Sequence, residues 1–273
     1  MRCIIACFQN SEYTFAAEFK NCIKMKLKLL FFAAVFVLQQ AVVWGQNLTI
    51  SSSGQTGTSG TNWNLSNGQL YYTADANVHA SVIINALGNG NLNLQAISNN
   101  VSVTINQDVV ATSTSHALSI GNNNSIGTVT FNRTVDIGGS LTVYANKINM
   151  GDAPVPNAGE SAQIITRNGN HTSLLAKNGF ETVANANCVR GKIMPVGGGN
   201  IHITADADNN GTGVLNIDWL TIDGGAGAVL VEGASFSWET FGNCPLPEFY
   251  GTGGFTIRPT NNSIQGFNTQ WIA

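Results

Sequence analysis

Residues 197–217, GGGNIHITADADNNGTGVLNI, place Asp206, Asp208, Asn210 and Gly211 at the offsets that open an EF-hand calcium loop. Such a loop also needs a bidentate carboxylate at its twelfth position and a helix on either side. The twelfth residue is Ile217, and the flanks NIHITA and GVLNID read as strands, so an EF-hand is excluded. A hard cation takes six or more oxygens, and this loop alone offers too few unless Asp218 or Asp223 joins from a neighbouring strand. The expectation is a solvated β-turn. A Ca2+-binding turn on Asp206, Asp208 and Asn210 is the alternative.

Catalytic chemistry has less to stand on. His79, His116, His171 and His202 are widely separated, with no partner at metal-ligand spacing, and each reads as a strand or turn residue. Asp206, Asp208, Asp218, Asp223 and Glu232 do cluster in sequence, with Arg258 the nearest later arginine. Paired carboxylates and a base converging on one groove would suit a polysaccharide-cleaving lyase or hydrolase. Acidic residues on turns are ordinarily there for solvation, so no catalytic residue and no cofactor is assigned. The GGGN at 197–200 lacks the lysine and the helix that a phosphate cradle requires.

The start of the chain sets the compartment in which such residues would act. Lys24, Lys26 and Lys28 precede the apolar run LLFFAAVFVL and then QQAVVWGQ, the three-part plan of a secretory signal. Residues 1–24 are taken as an upstream start-site extension and 25–45 as the signal peptide, with cleavage after Gly45. The run Leu29 to Leu38 falls short of the roughly 20 apolar residues a spanning helix needs. From Asn47 onward there are 7 Lys plus Arg and 13 Asp plus Glu, so the net charge is 7 − 13 = −6. No basic stripe exists to neutralise a phosphate backbone, which argues against nucleic acid as a partner. Of the five cysteines only Cys188 and Cys244 lie beyond the signal, and an oxidising compartment favours their pairing.

Elements able to position these residues are short and alternating: NLTIS, ASVIINA, GNLNLQAIS, VSVTINQ, HALSIG, GTVTFN, GSLTVYA, NIHITADA, GVLNIDWLTIDG and AVLVEGASFSW. Each reads as a strand with one side chain in two facing a core. Gly- and Asn-rich turns separate them, no amphipathic helix is evident after residue 46, and the stretch 151–195 is less regular. Segments recur about every dozen residues and LxIxA-like phrases at roughly 20, a solenoid-like spacing. The polar strand positions are nearly all Asn, Thr or Ser, which stack in ladders. The expected fold is all-β: residues 46–273 form a single right-handed parallel β-helix, with a β-sandwich as the alternative. Leu92, Leu94, Val103, Ile105, Val129, Leu141, Val143, Ile201, Ile203, Leu215, Ile217 and Ile222 are expected to point inward.

The phrases GSLTVYANKINMG, GGGNIHITADADNNGTGVLNIDWLTIDGG and GTGGFTIRP resemble the filamentous haemagglutinin-type bacterial adhesins, over roughly residues 80–271. That resemblance implies stacked GxLxIxA coils and an extracellular binding scaffold whose partner is a glycan, a matrix or a cell-surface receptor. Trp63, Tyr71, Tyr72, Trp219, Trp238 and Trp271 are candidate sugar-stacking residues, with core packing the favoured role. The chain ends at FNTQWIA with no recognisable polar cap. The domain is therefore expected to be incomplete at its C-terminus and to self-associate end to end.

Overall fold

The computed structural model describes residues 47–73, 75–96, 101–121, 126–151, 162–182, 191–217, 220–237 and 247–260. All fall in one compact unit, Gly45–Ala273. The expected signal and upstream segment, Cys188, Cys244, Asp218, Trp219, Trp238 and Trp271 lie outside the described residues. Among those described, no helix is long and apolar enough to cross a membrane.

The chain forms a parallel β-solenoid with three faces. Alternation along each strand sends every second side chain inward, and the coils stack those side chains in register. On the first face Leu70, Leu94, Ile120, Val143, Leu174, Ile203 and Val231 lie one above another, each fully buried, with Ile257 next in the column. Burying each such side chain contributes about 1.5–3 kcal/mol relative to leaving it in water. The second face stacks Ile50, Ile105, Phe131 and Met150 in the same way. Two long strands, Leu141–Met150 and Thr172–Thr182, run through the corner between these faces and join them into a 16-stranded sheet. The third face is a separate sheet of six strands, from Val109–Ala111 to Glu248–Tyr250.

Every one of the twelve residues expected to point inward is buried. The pairing is parallel from coil to coil, which excludes a sandwich. The two sequence spacings have distinct origins. The dozen-residue interval separates one long face from the next, for example Leu118 on the first face and Val129 on the second. A whole coil is longer than 20 residues: Leu94 to Ile120 is 120 − 94 = 26, and Val143 to Leu174 is 174 − 143 = 31.

Three expectations need correction. ASVIINA is not a strand: Ala80–Asn89 is an α-helix, α1, with Ala80, Val82, Ile83 and Leu87 buried. The spacing 80, 83, 87 is a helical stripe, hidden by the β-branched run Val82-Ile83-Ile84. His79 caps its start by accepting from Ser81 N (3.1 Å), and the His116 ring donates to Leu87 O (2.7 Å) near its end. Second, residues 59–66 do not continue the parallel coils but fold back antiparallel on Gln69–Tyr72, the first strand of the first-face column. Ser59–Gly60, Trp63–Ser66 and Gln69–Tyr72 form an antiparallel meander that, with α1, ends the stack, and Trp63 and Tyr72 are core residues there. Third, the stretch 151–195 is regular where described. It supplies Gln163–Thr166, Thr172–Thr182 and Gly191–Pro195, each paired in register with its neighbours.

Corners explain the glycines. At the turn into the first face the coils approach so closely that a Cβ on Gly139, Gly199, Gly227 or Gly253 would lie 1.9–2.2 Å from a carbonyl oxygen of the coil beneath. Beside this column, side chains from one coil accept backbone N–H groups of the next. Asn91 Oδ1 takes Ala117 N (2.9 Å), Ser140 Oγ takes His171 N (3.2 Å), His171 Nδ1 takes Asn200 N (2.9 Å), and Asn200 Oδ1 takes Ala228 N (3.0 Å). Small polar residues therefore tie coil to coil through the backbone, which is why they dominate the polar positions.

Candidate functional site

A groove on the solenoid surface is produced by a local insertion. The strand Thr172–Thr182 passes from the first face to the second with three residues between Leu175 and Gly179. In the next coil the paired positions are Thr204 and Val214, with nine residues between them, so 9 − 3 = 6 extra residues must leave the coil. They emerge as the loop 205–213, the segment that carries the DxDxNG motif. Its neck is pinched shut, since a Cβ on Gly213 would sit 1.6 Å from Ala205 O.

Asp206 fixes the loop's shape. It is 1% exposed, and its Oδ1 accepts from Asn210 N (3.0 Å) and Gly211 N (3.3 Å) while Oδ2 accepts from Thr260 Oγ1 (2.5 Å). Asn209 (φ 57°) and Gly211 (φ 82°) turn the chain through the left-handed region that Asn and Gly tolerate best. Asp208 and Asn210 are both exposed; Asn210 Nδ2 donates to Asp208 Oδ2 (3.1 Å) and Asn210 Oδ1 accepts from Thr212 N (2.9 Å). The three residues named as calcium ligands thus share one turn, but the Asp206 carboxylate faces backbone N–H groups. Asp223 accepts from Gly225 N (3.2 Å) and lies 4.0 Å from Lys192 Nζ on the third face. No group of three or more His, Cys, Asp or Glu among the described residues is arranged to hold a metal ion.

The loop walls one side of a groove of about 510 Å³ whose floor is the outward surface of the first face. Tyr144, Leu175, Thr204, Glu232 and Arg258 form one column of that floor in strict register. His202 stands in the adjacent column, diagonal to Glu232. Glu232 accepts from Arg258 Nε (2.6 Å) on Oε1 and meets His202 Nε2 (2.9 Å) on Oε2. Burial pushes the Glu232 carboxyl up, but the hydrogen bonds and charges of Arg258 and His202 together outweigh it and hold the group below its ordinary value. At the other end of the column the Lys177 ammonium lies over the Tyr144 ring, 5.5 Å from its centre.

Of the carboxylates that cluster in sequence, the groove gathers Asp206 and Glu232, together with Arg258. The sequence reading did not bring in His202, Tyr144 or Leu175. The period of the first face could have found them: all three occupy the alternate, outward positions next to inward residues, Tyr144 after Val143, Leu175 after Leu174 and His202 between Ile201 and Ile203. Tyr71 is half-buried in the terminal meander, where its hydroxyl bonds Gln69. No protein-family model, no curated protein and no solved structure matches the chain.

Proposed function

We propose that the protein is an extracellular, adhesin-like scaffold of the kind the filamentous haemagglutinin resemblance implies, binding a glycan, matrix or cell surface through its β-solenoid. The observation that carries this reading is the groove on the first face. It is an open trough along the stack, floored by hydroxyl, aliphatic and aromatic side chains, in which each of the two carboxylates is already committed to partners within the protein. Asp206 is spent on its own turn and Glu232 on Arg258 and His202. Ligand contact then falls to the outward parts of Arg258, His202, Tyr144 and Leu175. Secretion by the segment 25–45 is part of the same proposal.

One observation favours an enzymatic second reading. A His–Glu pair at 2.9 Å beside an arginine is also the arrangement of a base held by a carboxylate. Such an enzyme would cleave an anionic polysaccharide. A panel of immobilised polysaccharides and matrix components tests both readings. Saturable binding without product is expected. Release of reducing ends or unsaturated sugars, lost in His202→Ala, would overturn the scaffold in favour of the enzyme.

A further inference from the structure

We propose that the groove on the first face is a binding site for an extended carboxylate-bearing polysaccharide, a uronate chain, laid along the solenoid axis with Arg258 as its carboxylate-reading residue. This rests on the scaffold reading above and goes further in naming the ligand class.

Charge is the first argument. Residues 47–273 carry a net charge of 7 − 13 = −6, and the residues lining the groove include two carboxylates and one arginine, Arg258. Asp206 is buried and turned onto Asn210 N and Gly211 N, and both Glu232 oxygens are occupied. Arg258, a lining residue, is 58% exposed, and its contact with Glu232 is through Nε, so its two terminal nitrogens are not used in that bond. At the far end of the column Lys177 lies over the Tyr144 ring, beside the groove. An exposed guanidinium in the groove, with the neighbouring carboxylates already hydrogen-bonded within the protein, favours an anion there.

Geometry narrows the anion. The Nε–Oε1 bond of 2.6 Å fixes the guanidinium plane, and a fixed fork of terminal N–H groups matches a planar carboxylate bidentately. Glu232 is thus a positioning residue, holding Arg258 on one oxygen and His202 on the other. Length narrows it further. Tyr144 and Arg258 are four strand spacings apart in one column, about 19 Å at roughly 4.8 Å per spacing. A single sugar cannot reach both ends, so the ligand is an oligomer. In the adjacent column, beside the groove, Thr142, Ser173 and Thr256 offer hydroxyls alongside His202 and Leu230, which suits sugar hydroxyls between Tyr144 and Arg258.

The test measures binding of polygalacturonate oligomers of graded length to the full chain by calorimetry, against methyl-esterified, sulfated and neutral polymers and polyglutamate. Polygalacturonate is expected to bind, and its methyl ester to bind at least about tenfold more weakly. Arg258→Ala is expected to weaken binding about 10- to 100-fold, the range for loss of a hydrogen bond to a charged group. Arg258→Lys, which keeps the charge but not the fork, should recover only part of this. Glu232→Gln should weaken binding several-fold with Arg258→Ala then adding little, a non-additivity that a merely structural role would not produce. Tyr144→Ala should weaken long oligomers and leave dimers unchanged. Equal binding of the methyl ester, or polygalacturonate binding unchanged in Arg258→Ala, overturns the proposal. Tighter binding of the sulfated polymer or polyglutamate overturns its choice of uronate. Binding of neutral polymers alone would sink the uronate site and leave the scaffold standing, whereas binding to no polymer would sink both.

Discussion

Replacing Asp206 separates two uses of the same motif. As a turn cap, its carboxylate accepts two backbone N–H groups and the Thr260 hydroxyl while itself 1% exposed. Asp206→Ala strips all three donors of their acceptor at once. A hydrogen bond to a charged group contributes about 1.5–3 kcal/mol, but Asn210 and Gly211 are exposed enough for water to take over part of the loss, so the sum is about 2–4 kcal/mol. In a domain of this size each kcal/mol moves the melting temperature by roughly 2–4 °C, so a fall on the order of 10 °C is expected. Asp206→Asn keeps one acceptor and should cost about half as much. Asp208→Asn, on an exposed side chain whose partner is Asn210, should stay within about 0.5 kcal/mol. Thermal unfolding followed by circular dichroism, in calcium and in chelator, reads all three, with hydrogen exchange of the Asn210 and Gly211 amides as the local probe. A melting temperature raised by calcium in the wild type and equally insensitive in Asp206→Asn and Asp208→Asn would refute the turn-cap account and make the loop a metal site.

The corner glycines predict a contrast. Gly227→Ala drives a Cβ to 2.0 Å from Gly199 O, a backbone atom that cannot swing away, so a loss of about 3 kcal/mol or more is expected in denaturant unfolding. Gly88→Ala, in α1 with nothing within 4 Å of the new Cβ, should instead stabilise by about 0.5–1 kcal/mol. The Glu232 carboxyl is held below its ordinary value in the folded protein, so the stability it contributes is present above the unfolded value of about 4.3 and is lost as pH falls through the lower folded value. Melting curves from pH 6 to pH 3 should fall less steeply in Glu232→Gln than in the wild type. Core truncation at Phe180, fully buried on the second face, should cost about 3–5 kcal/mol as Phe180→Ala in the same unfolding assay.

The first two faces were legible because their strands are long enough to alternate. LTVYA and NIHIT place inward aliphatics at every second residue, and those residues are buried. Most of the third face was not legible, Leu220–Asp223 with its inward Ile222 excepted, because its strands are short and break alternation. Val109–Ala111 and Val135–Ile137 are three residues each, and Asp136 lies between two inward residues yet is itself largely buried, its carboxylate held by Arg167 at 2.6 and 2.7 Å. Local composition misled at α1, where three β-branched residues in a row read as strand while the ends of the helix were set by His79 and His116, the latter 29 residues from its Leu87 partner. Of the site, the acidic cluster and Arg258 were visible. What was hidden is register: Glu232 and Arg258 are 26 residues apart, and only the stacking of one coil on the next makes them neighbours.

A solenoid built by repetition has no concavity of its own, since each coil covers the last and presents the same flat outward columns. Concavity requires a coil that departs from the repeat, and the departure must be stabilised locally because its residues leave the stack that would otherwise hold them. The six extra residues after Thr204 meet both conditions: they raise a wall beside the first face, and Asp206 holds that wall through hydrogen bonds to its own turn and to Thr260 of the final described coil. The DxDxNG motif and the Arg258–Glu232–His202 cluster are therefore parts of one construction. The first supplies the wall, the second occupies the floor beneath it, and Thr260, two residues beyond Arg258, joins them. The chemistry suggested by the acidic motif when read alone belongs instead to its neighbours on the first face, where cationic and aromatic groups remain turned outward.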